Sequence, residues 1–113
     1  MTPRTLDFKL SVLLLREGED WVAQCLEYDI AAQGRTLESV KDAFAQAFAA
    51  RVTIDLARGV QPLIDLASAP NNYWMKFKLA ERQQDHLPIP VPSDSLPPTF
   101  LIRAMAYDVR ICA

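Results

Sequence analysis

The segment Gly34-Arg-Thr-Leu-Glu joins two kinds of hydrophobic pattern, and this step constrains the fold more than any other feature of the chain. Before it, apolar and polar residues alternate, as is typical of β-strands. After it, apolar residues recur every three or four positions, which predicts an amphipathic helix. Gly34 supplies the free backbone that a strand-to-helix corner needs, and Thr36 is placed to accept a hydrogen bond from the Ser39 backbone N–H as an N-cap. The sequence therefore predicts strands followed by one long helix.

Three short strands are predicted before this corner, over residues 8–15, 21–28 and 30–34. A polar turn that contains Gly18 makes the first two strands a β-hairpin, and a tight corner at Tyr28-Asp29 leads to the third. Leu13 and Leu15 make the second face of the first strand apolar as well. We therefore expect both faces of the sheet to be covered near the end of that strand.

The helix is predicted to run from Leu37 to about Arg58, with Gly59 as its left-handed C-terminal residue. Asp55 is expected to lie off the apolar face. One face of this helix should pack across the sheet and form the core. The apolar stripe on that face is predicted to contain Leu37, Val40, Phe44, Ala47, Phe48 and Ile54.

The region 60–98 has mixed signals. Residues 61–66 predict a short turn of helix with Pro62 at its first position. Residues 73–84 fit the period of either a strand or a helix. The good helix formers at 81–84 favour the helix, which would stack four residues on one face: Tyr73, Trp74, Phe77 and Ala80.

A proline-rich connection and a last strand complete the chain. Five prolines in the segment from Leu87 to Pro98 predict an extended, polyproline-like connection. The closing strand is predicted over residues 99–111 and has few charges to discourage pairing along its edge. We expect self-association, as a dimer or a dimer of dimers, through this edge or through the aromatic segment 73–77. One face of the closing strand is expected to carry Leu101, Met105, Tyr107, Val109 and Ile111.

The composition indicates one globular domain. The chain has 113 residues and a net charge of −2, which gives no overall attraction to nucleic acid or to an anionic membrane. No apolar run approaches the ~20 residues of a membrane span, and residues 1–9 lack the pattern of a signal peptide. Cys25 and Cys112 are interpreted as buried free thiols, so a cytoplasmic location is expected.

The residues that most catalytic sites require are scarce. His86 is the only histidine, and we expect it to lie in a solvated loop. The three glycines do not form a phosphate-binding loop, and no CxxC pair is present. The sequence therefore predicts no catalytic, cofactor-binding or metal-binding residues, and no enzymatic activity.

Acidic residues are concentrated around the predicted hairpin and corner. No lysine or arginine interrupts them: Glu17, Glu19, Asp20, Glu27 and Asp29. One interpretation is a solvated hairpin tip and strand edge, which is the usual place for such charges. The other is an acidic patch that meets a basic partner.

The residues around the corner resemble the HicB-like antitoxins. In that family a strand with an acidic end leads through Gln-Gly into a Thr-Leu-Glu helix start. The matching residues here are Glu27, Asp29, Gln33, Gly34, Thr36, Leu37 and Glu38. The resemblance covers residues 8–58 and, more weakly, the closing strand. It implies an α+β fold of order β-β-β-α-β, partly RNase H-like, in a single domain with residues 60–98 as a helical and proline-rich insertion.

The resemblance also implies a function. Proteins of this family bind and mask a small, basic, RNA-cleaving toxin, HicA, and many carry a C-terminal DNA-binding domain. No DNA-binding helix pair is predicted after residue 84, so direct nucleic-acid binding is not expected. An antitoxin-type interaction domain is the first hypothesis. Its partner-binding residues would be Glu17, Glu19, Asp20, Trp21, Glu27, Tyr28 and Asp29.

Two alternatives stay open. The domain can be a solitary homo-oligomer that binds a small ligand or an unrelated protein, with toxin neutralisation lost. A nuclease is the third hypothesis, because the RNase H-like relationship would place Glu27 and Asp29 where a two-metal site needs carboxylates.

Overall fold

The computed structural model describes residues 4–83, 87–89 and 100–112. These residues form an α+β structure with one mixed, mostly antiparallel sheet and two helices, which confirms the predicted fold class at this level. The strands are β1 (Arg4–Glu17), β2 (Asp20–Cys25), β3 (Ala31–Gly34), β4 (Glu81–Gln83), β5 (Leu87–Pro88) and β6 (Phe100–Cys112). The helices are α1 (Leu37–Ala57) and α2 (Asn71–Leu79).

The strands lie in the order β3-β2-β1-β6-β4, and β5 also pairs with β6. β1 and β6 run parallel along a ladder from Arg4 and Phe100 to Leu15 and Cys112. The other strand pairs are antiparallel. The first and last strands of the described chain are thus neighbours at the centre of the sheet.

Helix α1 covers one face of the sheet and forms the main core. Val40, Phe44, Phe48 and Val52 are fully buried against β1 residues of the same face. The expected position of Ile54 in this stripe is wrong, since its side chain is 51% exposed, and Asp55 is 4% exposed instead of lying off the face. The reason is helical geometry, because Ile54 follows Val52 by two residues and so lies about 200° around the helix axis.

Helix α2 covers the opposite face. Phe77 packs there with Leu13 and Leu15 of β1, which confirms that both sides of this strand are covered near its end. The helical interpretation of the region from Tyr73 is confirmed as far as Leu79. The helix formers that follow adopt a strand instead, because Glu81–Gln83 pairs with the outer edge of β6. Backbone pairing outweighs intrinsic helix propensity there.

The expected helical turn after Pro62 is wrong. Residues 62–65 form turns, and Leu63 has a positive φ of 66°. The Leu63 backbone N–H donates to Asp55 Oδ2 at 2.8 Å, so a side chain of α1 sets this conformation. The chain crosses there from the α1 face, where Leu63 is buried, to the α2 face, where Ala69 is buried.

A β-bulge changes the alternation of β6. Leu10 is opposite Ala106, but the next residue of β1, Ser11, is opposite Asp108, so Tyr107 is the additional residue. The bulge reverses which face each later residue occupies. The prediction that Met105 and Val109 share one face is therefore wrong. Val109 lies in the core under α1, whereas Met105 is next to the core residue Ala106 and so lies on the other face of the sheet.

The outer edge of β6 is also different from the expectation. Over residues 105–106 and 109–111 this edge pairs with β5 and β4. We expect self-association through an edge only where that edge is open, and over these residues it is already paired. The Ile89 backbone N–H continues the β5 contact by donating to Ala104 C=O at 3.0 Å. The expected loop at His86 and the proline-rich connection beyond Ile89 lie outside the described residues.

The corner between β3 and α1 follows the local sequence closely. Thr36 Oγ1 accepts from the Ser39 N–H at 3.0 Å, and Ser39 Oγ accepts from the Thr36 N–H at 3.0 Å, which confirms the N-cap. Gly34 is required by space and not by a left-handed φ. A Cβ at Gly34 would lie 2.7 Å from the backbone nitrogen of Val40.

Both cysteines are free, as predicted, with Cys25 buried and Cys112 partly buried. Burial raises the pKa of the Cys25 thiol to about 12, so this thiol stays protonated near neutral pH. Within the described ranges, neither helix has the length and apolar character needed to cross a membrane.

Candidate functional site

The seven predicted partner-binding residues fall at two ends of β2. The first four lie on the hairpin tip between β1 and β2, and the last three lie on the corner that follows β2. The six residues of β2 span roughly 20 Å, so Glu19 before the strand and Glu27 after it lie at opposite ends. The structure therefore splits the predicted site into a hairpin patch (Glu17, Glu19, Asp20, Trp21) and a corner patch (Glu27, Tyr28, Asp29).

The hairpin patch is mostly open to solvent. Gly18 has a φ of 61° in the two-residue turn, and Glu17 and Glu19 on either side of it are exposed. Asp20 is partly buried, and its Oδ2 accepts from Gln33 Nε2 at 2.7 Å. The two glutamates are the charges of this patch that a partner can reach most readily.

Trp21 gives the hairpin patch an apolar component. Its ring is partly buried against the core, and the Arg16 guanidinium carbon lies 5.6 Å from the ring centroid. Arg16 is directly opposite Trp21 in the β1–β2 register. Arg16 is not among the residues of the predicted patch, because it lies one position before the acidic residues. The predicted hairpin pairing could have indicated that Arg16 lies opposite Trp21. The hairpin patch thus has Trp21 and the neighbouring Arg16 on one face of the hairpin and Glu17 and Asp20 on the other, with Glu19 in the turn.

The carboxylates of the corner patch hold the backbone and a neighbouring side chain. Glu27 Oε1 accepts from the Ser11 N–H at 2.8 Å, where β1 stops pairing with β2. Asp29 Oδ1 accepts from Gln24 Nε2 at 2.8 Å, and the Asp29 N–H donates to Ala67 C=O. Each of these contacts fixes the corner against β1, β2 or the segment that follows α1.

Tyr28 joins the corner patch to the main core. Its ring meets Phe8 edge-on with the centroids 6.1 Å apart, and Phe8 in turn meets Phe48 at 5.6 Å. Such edge-to-face contacts favour a fixed ring position. The corner patch is therefore an ordered part of the fold, with Asp29 as its exposed residue.

The described residues contain no group of three or more His, Cys, Asp or Glu side chains that could hold a metal ion. A two-metal site needs several carboxylates that converge on one point. Glu27 and Asp29 instead bind separate donors, Ser11 and Gln24. Their geometry therefore lends no support to the nuclease hypothesis.

A polar network on the α2 face was not anticipated from the sequence. Arg110 Nη1 donates to the Phe77 C=O at the end of α2 at 3.0 Å, and its guanidinium lies 4.4 Å from the centroid of the Phe77 ring. Asp108 forms ion pairs with Arg110 at 3.1 Å and with Arg82 at 3.6 Å. This network attaches α2 and β4 to β6, and its role is structural.

A shallow groove of about 790 Å³ lies along the part of β1 and β6 that extends beyond β2. It is lined by Asp7, Lys9, Arg103, Met105 and Tyr107, among others. Asp7 and Arg103 form an ion pair of 3.0 Å, and the Lys9 ammonium lies 5.6 Å from the Tyr107 ring centroid. Sequence reasoning missed the groove because parallel pairing joins residues almost a whole chain apart.

No family model, curated protein or solved structure matches this chain.

Proposed function

We propose that this chain is a non-enzymatic, HicB-like interaction domain that acts in the cytoplasm by binding and masking a small, basic, RNA-cleaving toxin. The observation that carries the proposal is the hairpin patch, where Glu17 and Glu19 are exposed on either side of Gly18 and the partly buried ring of Trp21 begins the next strand. This combination of exposed charge and aromatic surface suits a basic protein partner.

The arrangement of elements supports the proposal. The order β1-β2-β3-α1-β6, with α1 across one face of the sheet, agrees with the β-β-β-α-β order that the family resemblance implies. The resembling residues also have the local roles that such a corner needs, since Gly34 gives space to Val40 and Thr36 caps α1. We further propose that this fold is partly RNase H-like.

The charges define how the partner would bind. Arg16, Glu17, Glu19 and Asp20 together carry a formal charge of −2 at the tip of the hairpin. Opposite charges mainly raise the association rate, whereas an aromatic residue such as Trp21, which a partner would cover further, contributes more to the lifetime of the complex. Association with the partner should therefore be sensitive to salt.

Reversing the two exposed glutamates tests this proposal. The double variant Glu17→Lys/Glu19→Lys should lower the association rate of the captured partner by about tenfold at low salt, because steering by the hairpin charges is lost. The partner would be captured by a pull-down from the protein's own cells, and the rate would be measured by rapid-mixing kinetics at two salt concentrations.

A matched control is Asp42→Lys/Asp65→Lys, which makes the same change in net charge at two exposed positions outside the hairpin. This control should have a much smaller effect on the association rate. A captured partner whose association ignores both salt and the hairpin reversal would contradict the proposal.

The proposal also excludes nuclease activity in the chain itself. Purified protein should leave RNA intact in the presence of magnesium or manganese, because Glu27 and Asp29 are occupied by Ser11 and Gln24. The measurement is a cleavage assay with structured and unstructured RNA. Cleavage that disappears in Glu27→Gln or Asp29→Asn would overturn the non-enzymatic assignment.

One observation favours the second candidate function, a homo-oligomeric domain that binds a small ligand. The groove along β1 and β6 brings Lys9, Arg103 and Tyr107 together at a distance from the hairpin patch. Recovery of the protein alone in the pull-down, with no partner at all, would favour this candidate.

A further inference from the structure

The N-terminal half of β1 has an edge that is unpaired among the residues that the structure describes. β2 pairs with β1 from Val12 to Glu17 only, whereas β6 pairs with β1 from Arg4 onward. No described residue forms a ladder with the other edge of residues 4–10. Over residues 4–7 of β1 and 100–103 of β6, this parallel ladder is the only one among the described residues, which is unusual because parallel strands are normally part of larger, covered sheets.

The face of β1 under α1 is less completely covered where β2 ends. Leu10, Val12 and Leu14 on this face are at most 1% exposed, whereas Leu6 and Phe8 are only partly buried. The unpaired edge is therefore bordered by apolar side chains. An edge with these properties is a template for a further strand.

The direction of the backbone groups is fixed by Ser11. Its N–H donates to Glu27 and its C=O accepts from the Leu26 N–H, so both groups point away from β6. Backbone groups alternate along a strand, so those of Asp7 and Lys9 point to the same, unpaired side.

We propose that a second copy of this chain pairs with this edge in antiparallel fashion, about a two-fold axis that passes beside Phe8. In this register Asp7 is opposite the partner's Lys9, and Lys9 is opposite the partner's Asp7. Leu6 is opposite the partner's Leu10, and Phe8 is opposite the partner's Phe8. Directly opposite residues in antiparallel strands share a face, so the charges meet on the groove side and the apolar residues meet on the α1 side.

Charge selects this register among those that two-fold symmetry permits. Moving the axis one residue toward the N-terminus places Asp7 opposite the partner's Asp7. Moving it one residue the other way places Lys9 opposite the partner's Lys9. Like charges directly opposite each other destabilise a sheet, so only the axis at Phe8 pairs both charges.

The ladder has a natural end. The N–H and C=O of Ser11 are already bound by Glu27 and Leu26, so pairing is confined to residues 6–10. Glu27 of the corner patch thus marks the boundary between pairing within the chain and pairing between chains. This inference goes beyond the proposed function, because the hairpin patch lies at the opposite end of β1.

Two single charge reversals test the register. Asp7→Lys would place an ammonium group opposite the partner's Lys9, and Lys9→Asp would place a carboxylate opposite the partner's Asp7. Each variant alone should be monomeric by light scattering at a concentration where the unchanged protein is dimeric. An equimolar mixture should form dimers again, because both cross-chain pairs are then of opposite charge. Circular dichroism of each variant checks folding, which should be kept because the Asp7–Arg103 pair is exposed.

The alternative outcomes are distinct. A monomeric unchanged protein at high micromolar concentration would overturn the proposal and would mean that the charges protect the edge. A dimer that survives either single reversal, or a mixture that stays monomeric, would overturn the register. The Glu17→Lys/Glu19→Lys variant should remain dimeric, so failure of toxin binding and failure of this dimer are separable.

Discussion

Replacing Phe44 with alanine should lower the free energy of unfolding by about 3–5 kcal/mol. Phe44 is fully buried at the centre of the α1 face, with its ring centroid 6.4 Å from that of Phe48. Removing the ring leaves a cavity between α1 and the sheet. β1 cannot easily move to fill this cavity, because its other face is packed against α2. Urea unfolding followed by circular dichroism would measure the change in free energy.

Ile54→Ala is the matched control on the same helix. Ile54 has a similar place in the sequence pattern but is 51% exposed, so its loss should change the unfolding free energy by less than about 0.5 kcal/mol. Comparable losses in the two variants would show that the helix does not present the Phe44 face to the sheet. An unchanged denaturation midpoint in Phe44→Ala would contradict the assignment of the core.

Features that depend on neighbouring residues could be predicted from the sequence. The start of α1 is determined by Thr36 and Ser39, which are three residues apart and bind each other's backbone N–H groups. The hairpin depends on Gly18 and the alternation on either side of it. In such cases the deciding interactions lie within one turn or one strand pair, so the pattern contains the necessary information.

Features that depend on distant residues could not be predicted. Glu81–Gln83 becomes a strand because the edge of β6, about 30 residues later in the chain, needs a partner. The bulge at Tyr107 is invisible to an alternation count that assumes a regular strand. Both depend on which strand becomes the neighbour of β6, and local propensity does not determine that choice.

The candidate site was predicted only in part for the same reason. The sequence predicts one acidic patch from residues that are close along the chain, but β2 separates Glu19 from Glu27 by its whole length. The hairpin acids are exposed as expected, whereas Glu27 is used to bind Ser11. A charge pattern gives the sign of a surface, and the fold decides which charges remain available to a partner.

Asp55 is buried, although the sequence pattern places it off the apolar face of α1. Asp55→Ala should lower the free energy of unfolding by about 1.5–3 kcal/mol. Asp55 is 4% exposed, and its Oδ2 accepts from the N–H of Leu63, which is itself buried and has a positive φ of 66°. Without the carboxylate, this N–H has no acceptor and the strained turn loses the contact that holds it. Chemical denaturation measures the loss, and hydrogen exchange at the Leu63 amide should become much faster.

Asp55→Asn separates the hydrogen bond from the ion pair. An asparagine oxygen can still accept from Leu63, whereas the charge that pairs with Arg51 at 3.2 Å is removed. Arg51 is partly exposed, so solvent compensates for much of the lost pairing. The asparagine variant should therefore lose less than half as much stability as the alanine variant and keep the Leu63 amide protected. Equal losses of unfolding free energy in both variants, with the Leu63 amide still protected, would show that Asp55 acts through its charge. That result would contradict the proposed role of Asp55 in holding the turn at Leu63, where the chain passes from one face of the sheet to the other.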